Sequence, residues 1–217
     1  MGLVFVPQWW VKYIFKLYDE PSPRFPGNGA ELARHLLSLL SLETVKVKDT
    51  PLGDHFNPDD QSLNLSPAYF NGKSLTTMVI VAHEIGHVIQ QKEDNPWFRL
   101  RYRLATLSGK FERLGSIAIL LIPITTLVLR VPTPAILLFL IGFFGMFSSV
   151  LVHLITFPLE FDASFNKALP LLLKGEFIQK EDEFAARRIL KAAALTYVAA
   201  ALSNLLNIGR WITVLRR

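Results

Sequence analysis

The chain has 217 residues, 51% of them hydrophobic and 19% charged, with 23 Lys and Arg against 18 Asp and Glu for a formal charge of +5. That length suits one compact domain and excludes two large ones. With no cysteine, disulfides and thiolate metal sites are excluded, which fits a reducing compartment.

Residues 1–18 are mostly apolar or aromatic, with Gln8, Lys12 and Lys16 four apart. A narrow polar stripe on a wide apolar helix, with Trp9, Trp10 and Tyr13 suited to lipid headgroups, predicts an interfacial helix or a short span. No basic start or small-residue cleavage site marks a signal peptide. A linker rich in proline and glycine follows, Pro21 to Gly29. Residues 28–42 read as a helix begun by Asn28 or Gly29, with Leu32, Leu36, Leu39 and Leu40 on one face. Thr44 to Lys48 alternates as a strand, Asp49 to Asp60 is rich in turn residues, and Ser62 to Ser66 alternates again. A small sheet here offers an edge strand to an extended peptide. Leu63, Asn64 and Leu65 are expected to hold that substrate by main-chain hydrogen bonds.

Leu75 to Gln91 contains no proline and predicts a helix capped by Ser74 or Asn71 and ended by Asp94, Asn95 and Pro96. Within it stands His83-Glu84-Ile85-Gly86-His87. Residues four apart share one helix face, so both imidazoles can bind one zinc ion. Glu84, beside them, can take a proton from an attacking water as the general base. This is the H-E-x-x-H arrangement of zinc peptidases. Gly86 has no side chain, which lets another segment approach the metal. A catalytic zinc needs a third protein ligand, and with no cysteine it must be His, Asp or Glu. Glu160 is the best candidate, the first acid after a long apolar run. Asp162, two residues on, is expected as an acceptor that orients a ligand histidine.

Leu114 to Leu129, Val131 to Leu159 and Ala192 to Gly209 contain no formal charge and run 16, 29 and 18 residues. About 20 residues cross a bilayer core, so the first two predict a transmembrane hairpin turning at Arg130 to Pro134, and the third a further span. His153 reads as a hydrogen-bonded histidine buried between spans. Six basic residues lie between the metal helix and the first span, six more between the second and third, and only Arg130 at the hairpin tip. The positive-inside rule then puts the metal helix on the cytoplasmic side. The basic excess suits anionic lipid rather than nucleic acid, for which no motif is present.

The fold class expected is a mostly α membrane protein: a zincin-like H-E-x-x-H helix with a small β-sheet, packed on about three transmembrane helices. Three parts are expected. Residues 1–28 are the interfacial or short membrane helix and linker, 29–112 the cytoplasmic catalytic part, and 113–217 the hairpin, the Glu160 segment and the C-terminal membrane helix.

Several motifs together carry a family resemblance. They are Gly53-Asp54-His55-Phe56-Asn57-Pro58, Leu63-Asn64-Leu65-Ser66, Val81-Ala82-His83-Glu84-Ile85-Gly86-His87-Val88-Ile89-Gln90, Phe157-Pro158-Leu159-Glu160-Phe161-Asp162-Ala163-Ser164, and the alanine-rich stretch from Ala192 to Ala201. Over roughly residues 30 to 210 the chain resembles the YugP-type neutral zinc metallopeptidases of bacterial membranes. The resemblance implies a membrane zinc peptidase and favours Glu160 as a ligand. The Glu160-Phe161-Asp162-Ala163 pattern after H-E-x-x-H is also similar to membrane peptidases of the HtpX kind, which take a helix glutamate as third ligand.

The expected activity is that of a gluzincin-like endopeptidase with Zn2+ on His83, His87 and Glu160 and with Glu84 as base. Tyr197 and His55 are the candidate donors to the developing oxyanion. A polypeptide substrate, the lipid bilayer and membrane protein partners are expected, at the cytoplasmic side of a multi-pass protein of the bacterial inner membrane. Two other readings fit the motif: a site-2-type intramembrane protease, and a non-catalytic membrane scaffold or chaperone with structural zinc.

Overall fold

The computed structural model describes residues 2–129 and 132–196. The chain is mostly helical, with one three-stranded sheet. The described residues divide into two compact units: a sheet-bearing unit of residues 5–95 and 158–196, and a hairpin unit of residues 2–4, 96–129 and 132–157.

α1 (Gly2–Leu17), which from Phe5 onward belongs to the sheet-bearing unit, buries Val11 and Ile14, three apart, and leaves Trp9 67% exposed beside Tyr13, their rings stacked at 5.6 Å. The Thr76 hydroxyl donates to the Phe15 carbonyl and the Ser74 hydroxyl to Asp19, fastening the end of α1 to the start of the metal helix. α2 (Gly29–Leu39) opens on a capping box: the Asn28 side chain accepts from the Glu31 N–H, and Glu31 accepts from the Asn28 N–H. Its buried face is Leu32, Leu36 and Leu37, while Leu39 is 60% exposed. The expected leucine stripe is therefore displaced by part of a turn, because the helix stops at Leu39 and Leu40 already lies in its cap.

Three strands form the sheet: β1 (Lys46–Asp49), β2 (His55–Asn57) and β3 (Ser62–Leu65), in the order β1-β3-β2. β3 pairs parallel to β1, with Val47 opposite Leu63, and antiparallel to β2, with Phe56 opposite Leu63. β3 is thus the central strand, buried along its whole length. This corrects the expectation for Leu63, Asn64 and Leu65: they lie in the central strand, Leu63 and Asn64 paired on both sides and Leu65 with Asp49 of β1, so β3 is not an edge strand for a substrate. After β3, Ser66 and Pro67 open the short α3 (Pro67–Asn71).

α4 (Leu75–Lys92) starts at Ser74, whose hydroxyl accepts from the Thr77 N–H at 3.1 Å. From Leu75 to Val88 every residue is buried, charged and polar ones included. A helix enclosed on all sides is the core of its unit. It ends where Asp94 takes a left-handed conformation (φ 53°) before Pro96.

The hairpin unit is built on α5 (Pro96–Leu129) and α6 (Pro132–Phe161), the last four residues of α6 belonging to the sheet-bearing unit. At 1.5 Å per residue they run about 51 and 45 Å, more than a bilayer core of about 30 Å. Among the described residues these are the two helices long and apolar enough to cross a membrane. Leu120, Leu127 and Phe144 stand exposed on them, as lipid-facing residues would. The two pack backbone to backbone: a Cβ on Gly115 would lie 3.0 Å from the Gly142 carbonyl, and one on Gly145 only 2.5 Å from that of Phe111. The third expected span lies outside the described residues from position 197 onward, as do Arg130 and Val131 at the hairpin turn.

α6 runs without a break into a π-helical turn, Asp162–Ala168, in which the Leu169 N–H reaches the Ser164 carbonyl five residues back. α7 (Leu169–Lys174), a 3-10 turn at Lys180–Asp182 and the helical residues 183–196 complete the sheet-bearing unit.

Candidate metal centre

His83 and His87 project from one face of α4, their rings 4.9 Å apart at 79°. Glu160, in the last turn of α6, comes between them. Its Oε2 lies 3.2 Å from His83 Nε2 and 3.2 Å from His87 Nε2. All three residues are buried, Glu160 completely. Their ligand atoms lie within 4.8 Å of one another. A tetrahedral zinc with ligands at about 2.0 Å separates its donors by about 3.3 Å, so the two measured edges have the right length. Two imidazole nitrogens and a carboxylate oxygen are also donors that zinc prefers. A carboxylate taken wholly from water costs on the order of several kcal/mol without a counter-charge, which a cation at this point would supply.

The other ring nitrogens are also held. His83 Nδ1 lies 3.1 Å from the Ser164 hydroxyl, and His87 Nδ1 lies 3.0 Å from the Gln90 side-chain oxygen. Each ring thereby turns Nε2 to the centre. Gln90 in turn donates to the Leu159 carbonyl at 2.9 Å and to Asp162 Oδ2 at 2.8 Å. Asp162 therefore stands one step further out than expected: Gln90 reaches across to it, and the histidine meets Gln90 instead. Its second oxygen accepts from Asn166 at 2.8 Å.

Gly86 explains how the π turn comes so near. A Cβ there would sit 2.6 Å from the Ala163 carbonyl oxygen and 3.2 Å from its Cα. Only a bare backbone at Gly86 lets Ala163 lie against α4 with Glu160 and Ser164 on either side of it in sequence. Further along, Lys167 pairs with Glu93 at 2.7 Å, tying the far end of the π turn to the end of α4. Glu84 is buried directly after His83 in the chain.

The remaining expected residues fall as follows. His55 is in β2, and its Nδ1 lies 2.9 Å from the Gly53 carbonyl, closing the turn before the strand. Tyr197 lies outside the described residues. Asp54, in the same motif as His55, accepts from the Ser66 N–H at 2.7 Å and from its hydroxyl at 3.0 Å. It pins the entry of β2 to the exit of β3, although burial pushes its carboxyl above the usual range. Gln90 and Ser164 were not singled out by the sequence reading. Their signal was spacing: Gln90 is three residues after His87 and Ser164 four after Glu160, each on its ligand's own helix face.

Fold and site together bring two histidines and a carboxylate into a buried group that could hold a metal, with Glu84 next in the chain after His83, and comparison with known proteins gives the class. The chain belongs to the family described as "Putative neutral zinc metallopeptidase", which matches residues 1–216. Among individual proteins it is similar to the curated "Putative membrane protease YugP" of Bacillus subtilis (strain 168), 31% identical over 220 residues that cover 99% of this chain and 92% of that one. No solved structure matches the chain. Zinc is the cofactor the family implies, and the donor set of His83, His87 and Glu160 fits it.

Proposed function

We propose that this protein is a membrane-embedded, gluzincin-like zinc endopeptidase that hydrolyses peptide bonds of membrane-associated or unfolded proteins at the cytoplasmic face of the bacterial inner membrane. The observation that carries this reading is the meeting of His83 Nε2, His87 Nε2 and Glu160 Oε2 in one buried spot, with Glu84 next in the chain after the first of them.

His83, His87 and Glu160 are the residues that would hold the metal. When bound, zinc supplies Lewis acidity, polarising the scissile carbonyl and acidifying water. Glu84 accepts the proton of the attacking water as its oxygen bonds to the carbonyl carbon. It then passes that proton to the amide nitrogen as the C–N bond breaks, and the second proton of the water follows, leaving a new carboxylate and a protonated amine. Ser164 and Gln90 keep the two imidazoles turned inward. The cytoplasmic assignment is supported by the basic residues that follow α4, from Lys92 to Arg113, and by those of residues 167–191. α4 itself is not one of the two candidate spans, and it sits in the unit that carries the sheet. Both points favour a site outside the bilayer core over a site-2-type arrangement.

Glu84→Gln separates an enzyme from a scaffold, since it removes the base and leaves the three metal-binding side chains intact. Purified wild type and variant are each expected to hold one zinc per chain. Only the wild type should cleave unfolded model proteins, with the variant slower by about 10²- to 10⁴-fold. Equal cleavage by both would assign the activity to a contaminant. A wild type without zinc would end the peptidase reading.

A further inference from the structure

We propose that Gln90 is a positioning residue of the metal centre, a single amide that fixes the tautomer of His87 and the seat of Glu160 together. The inference rests on the zinc-peptidase reading above and adds to it a residue that no spacing rule for H-E-x-x-H includes.

Gln90 is 0% exposed, at the core of its unit. Its nitrogen faces two oxygens, the Leu159 carbonyl at 2.9 Å and Asp162 Oδ2 at 2.8 Å. Both are acceptors, so the amide cannot be turned over: a flipped group would set its oxygen against two others. The side-chain oxygen is thereby committed to His87 Nδ1, 3.0 Å away. That oxygen only accepts, so Nδ1 must carry the ring hydrogen. Nε2 is left with its lone pair directed at the point where Glu160 Oε2 also lies, 3.2 Å off. The same amide holds the peptide group just before Glu160 through the Leu159 carbonyl. One side chain on α4 thus sets the direction of one ligand and the position of another that is 73 residues away. Asn166 steadies the arrangement by holding the other oxygen of Asp162.

His83 makes an instructive contrast. Its Nδ1 meets the Ser164 hydroxyl, which rotates and can give or take a hydrogen bond. Ser164 therefore accommodates either tautomer of His83, whereas Gln90 permits only one of His87. A leucine would fill the volume of Gln90 as well; what the amide adds is three directed bonds with no spare donor.

The test uses the full-length protein in detergent, with zinc affinity measured by chelator competition and ligand geometry read from the visible absorption of the cobalt(II)-substituted site. Gln90→Leu should weaken zinc by about 10- to 100-fold, the usual effect of losing a partner of a metal-bound histidine. Gln90→Glu is the sharper variant. It keeps an acceptor for His87 but turns an oxygen on Leu159 and Asp162, so it should lose as much and distort the cobalt spectrum. Adding Asp162→Asn to Gln90→Glu restores a donor opposite the new carboxylate. It should recover about tenfold in affinity and bring the cobalt bands back toward wild type. Thermal unfolding of the metal-free proteins reports folding, and the near-isosteric Glu and Glu/Asn pair decides the matter if Gln90→Leu does not fold. If Gln90→Glu binds zinc as wild type does, or if the double variant shows no recovery, Gln90 does not tie the two ligands together and the proposal is overturned. A wild type that binds no zinc would instead remove the peptidase reading on which the proposal stands.

Discussion

Glu160 and Asp162 are two residues apart, both acidic, and differ in what surrounds them. Glu160 is fully buried with its Oε2 equidistant from two imidazole nitrogens, whereas Asp162 is partly exposed and accepts from two side-chain amides. Glu160→Gln keeps the shape but removes the negative charge and a good metal donor. Its zinc affinity should fall by more than the roughly 100-fold upper range for an outer partner, while Asp162→Asn should stay within that range. Metal analysis after dialysis against a weak chelator measures both, and a zinc-free Asp162→Asn beside a zinc-loaded Glu160→Gln would exchange their roles. Glu160 could be picked out in the sequence because an acid that ends 29 uncharged residues is conspicuous. That His83 and His87 would come together was legible because metal-ligand chemistry restricts both residue type and spacing. Gln90 and Ser164 were not, since an amide or hydroxyl becomes informative only when its partner's position is known. Asp54 was hidden for the same reason: its partner Ser66 is 12 residues away, across a strand pairing.

Among the elements, the π turn carried no sequence signal. It differs from α-helix by a wider ring of backbone bonds, and nothing in Asp162 to Ala168 demands that. What secures it is tertiary: Gly86 on one side and the Lys167–Glu93 pair on the other. Gly86→Ala places a methyl 2.6 Å from a backbone oxygen that cannot rotate away. The π turn must then move, carrying Glu160 and Ser164 with it. Overpacking of this kind costs about 1–3 kcal/mol. The variant should unfold at lower temperature and should also gain less from added zinc than wild type. An unchanged unfolding temperature with and without zinc would show that the close approach is not needed. β2 escaped the sequence reading because three residues are too few to show alternation, and they sit among turn formers. That omission displaced the edge: with β2 in place, β3 becomes the centre of the sheet, and the outer strands are β1 and β2.

For the whole molecule, hydropathy identified the two long helices, because their exposed apolar residues leave an unbroken record in the chain. It did not show that α5 begins at Pro96 and continues as one helix through the basic stretch to Leu129. Those arginines and lysines lie on the helix itself, where they can mark the level of the headgroups. The same basic residues give the topology prediction. A reporter fused after Arg130 should read as external, and one within residues 174–183 as cytoplasmic. The opposite pattern would put the metal centre outside the cell. The N-terminal helix was legible as amphipathic, but its inner face could not be assigned to lipid or protein from pattern alone. Val11 and Ile14 go to protein, and Trp9, Tyr13 and Leu17 stay outside with Lys12 and Lys16.

The distance along the chain between the two halves of the site has a consequence in time. His87 and Glu160 are 73 residues apart, and the whole apolar hairpin lies between them. At a synthesis rate of about 5–20 residues per second, the ribosome delivers the glutamate roughly 4–15 s after the histidines. On the proposed function, the nascent protein in that interval has both histidines and Glu84 but lacks Glu160, and is expected to hold zinc weakly and to be inactive. The proposed activity would then arise only after the hairpin has been made, so that a protease of this design stays inert until its two candidate membrane helices have been synthesised.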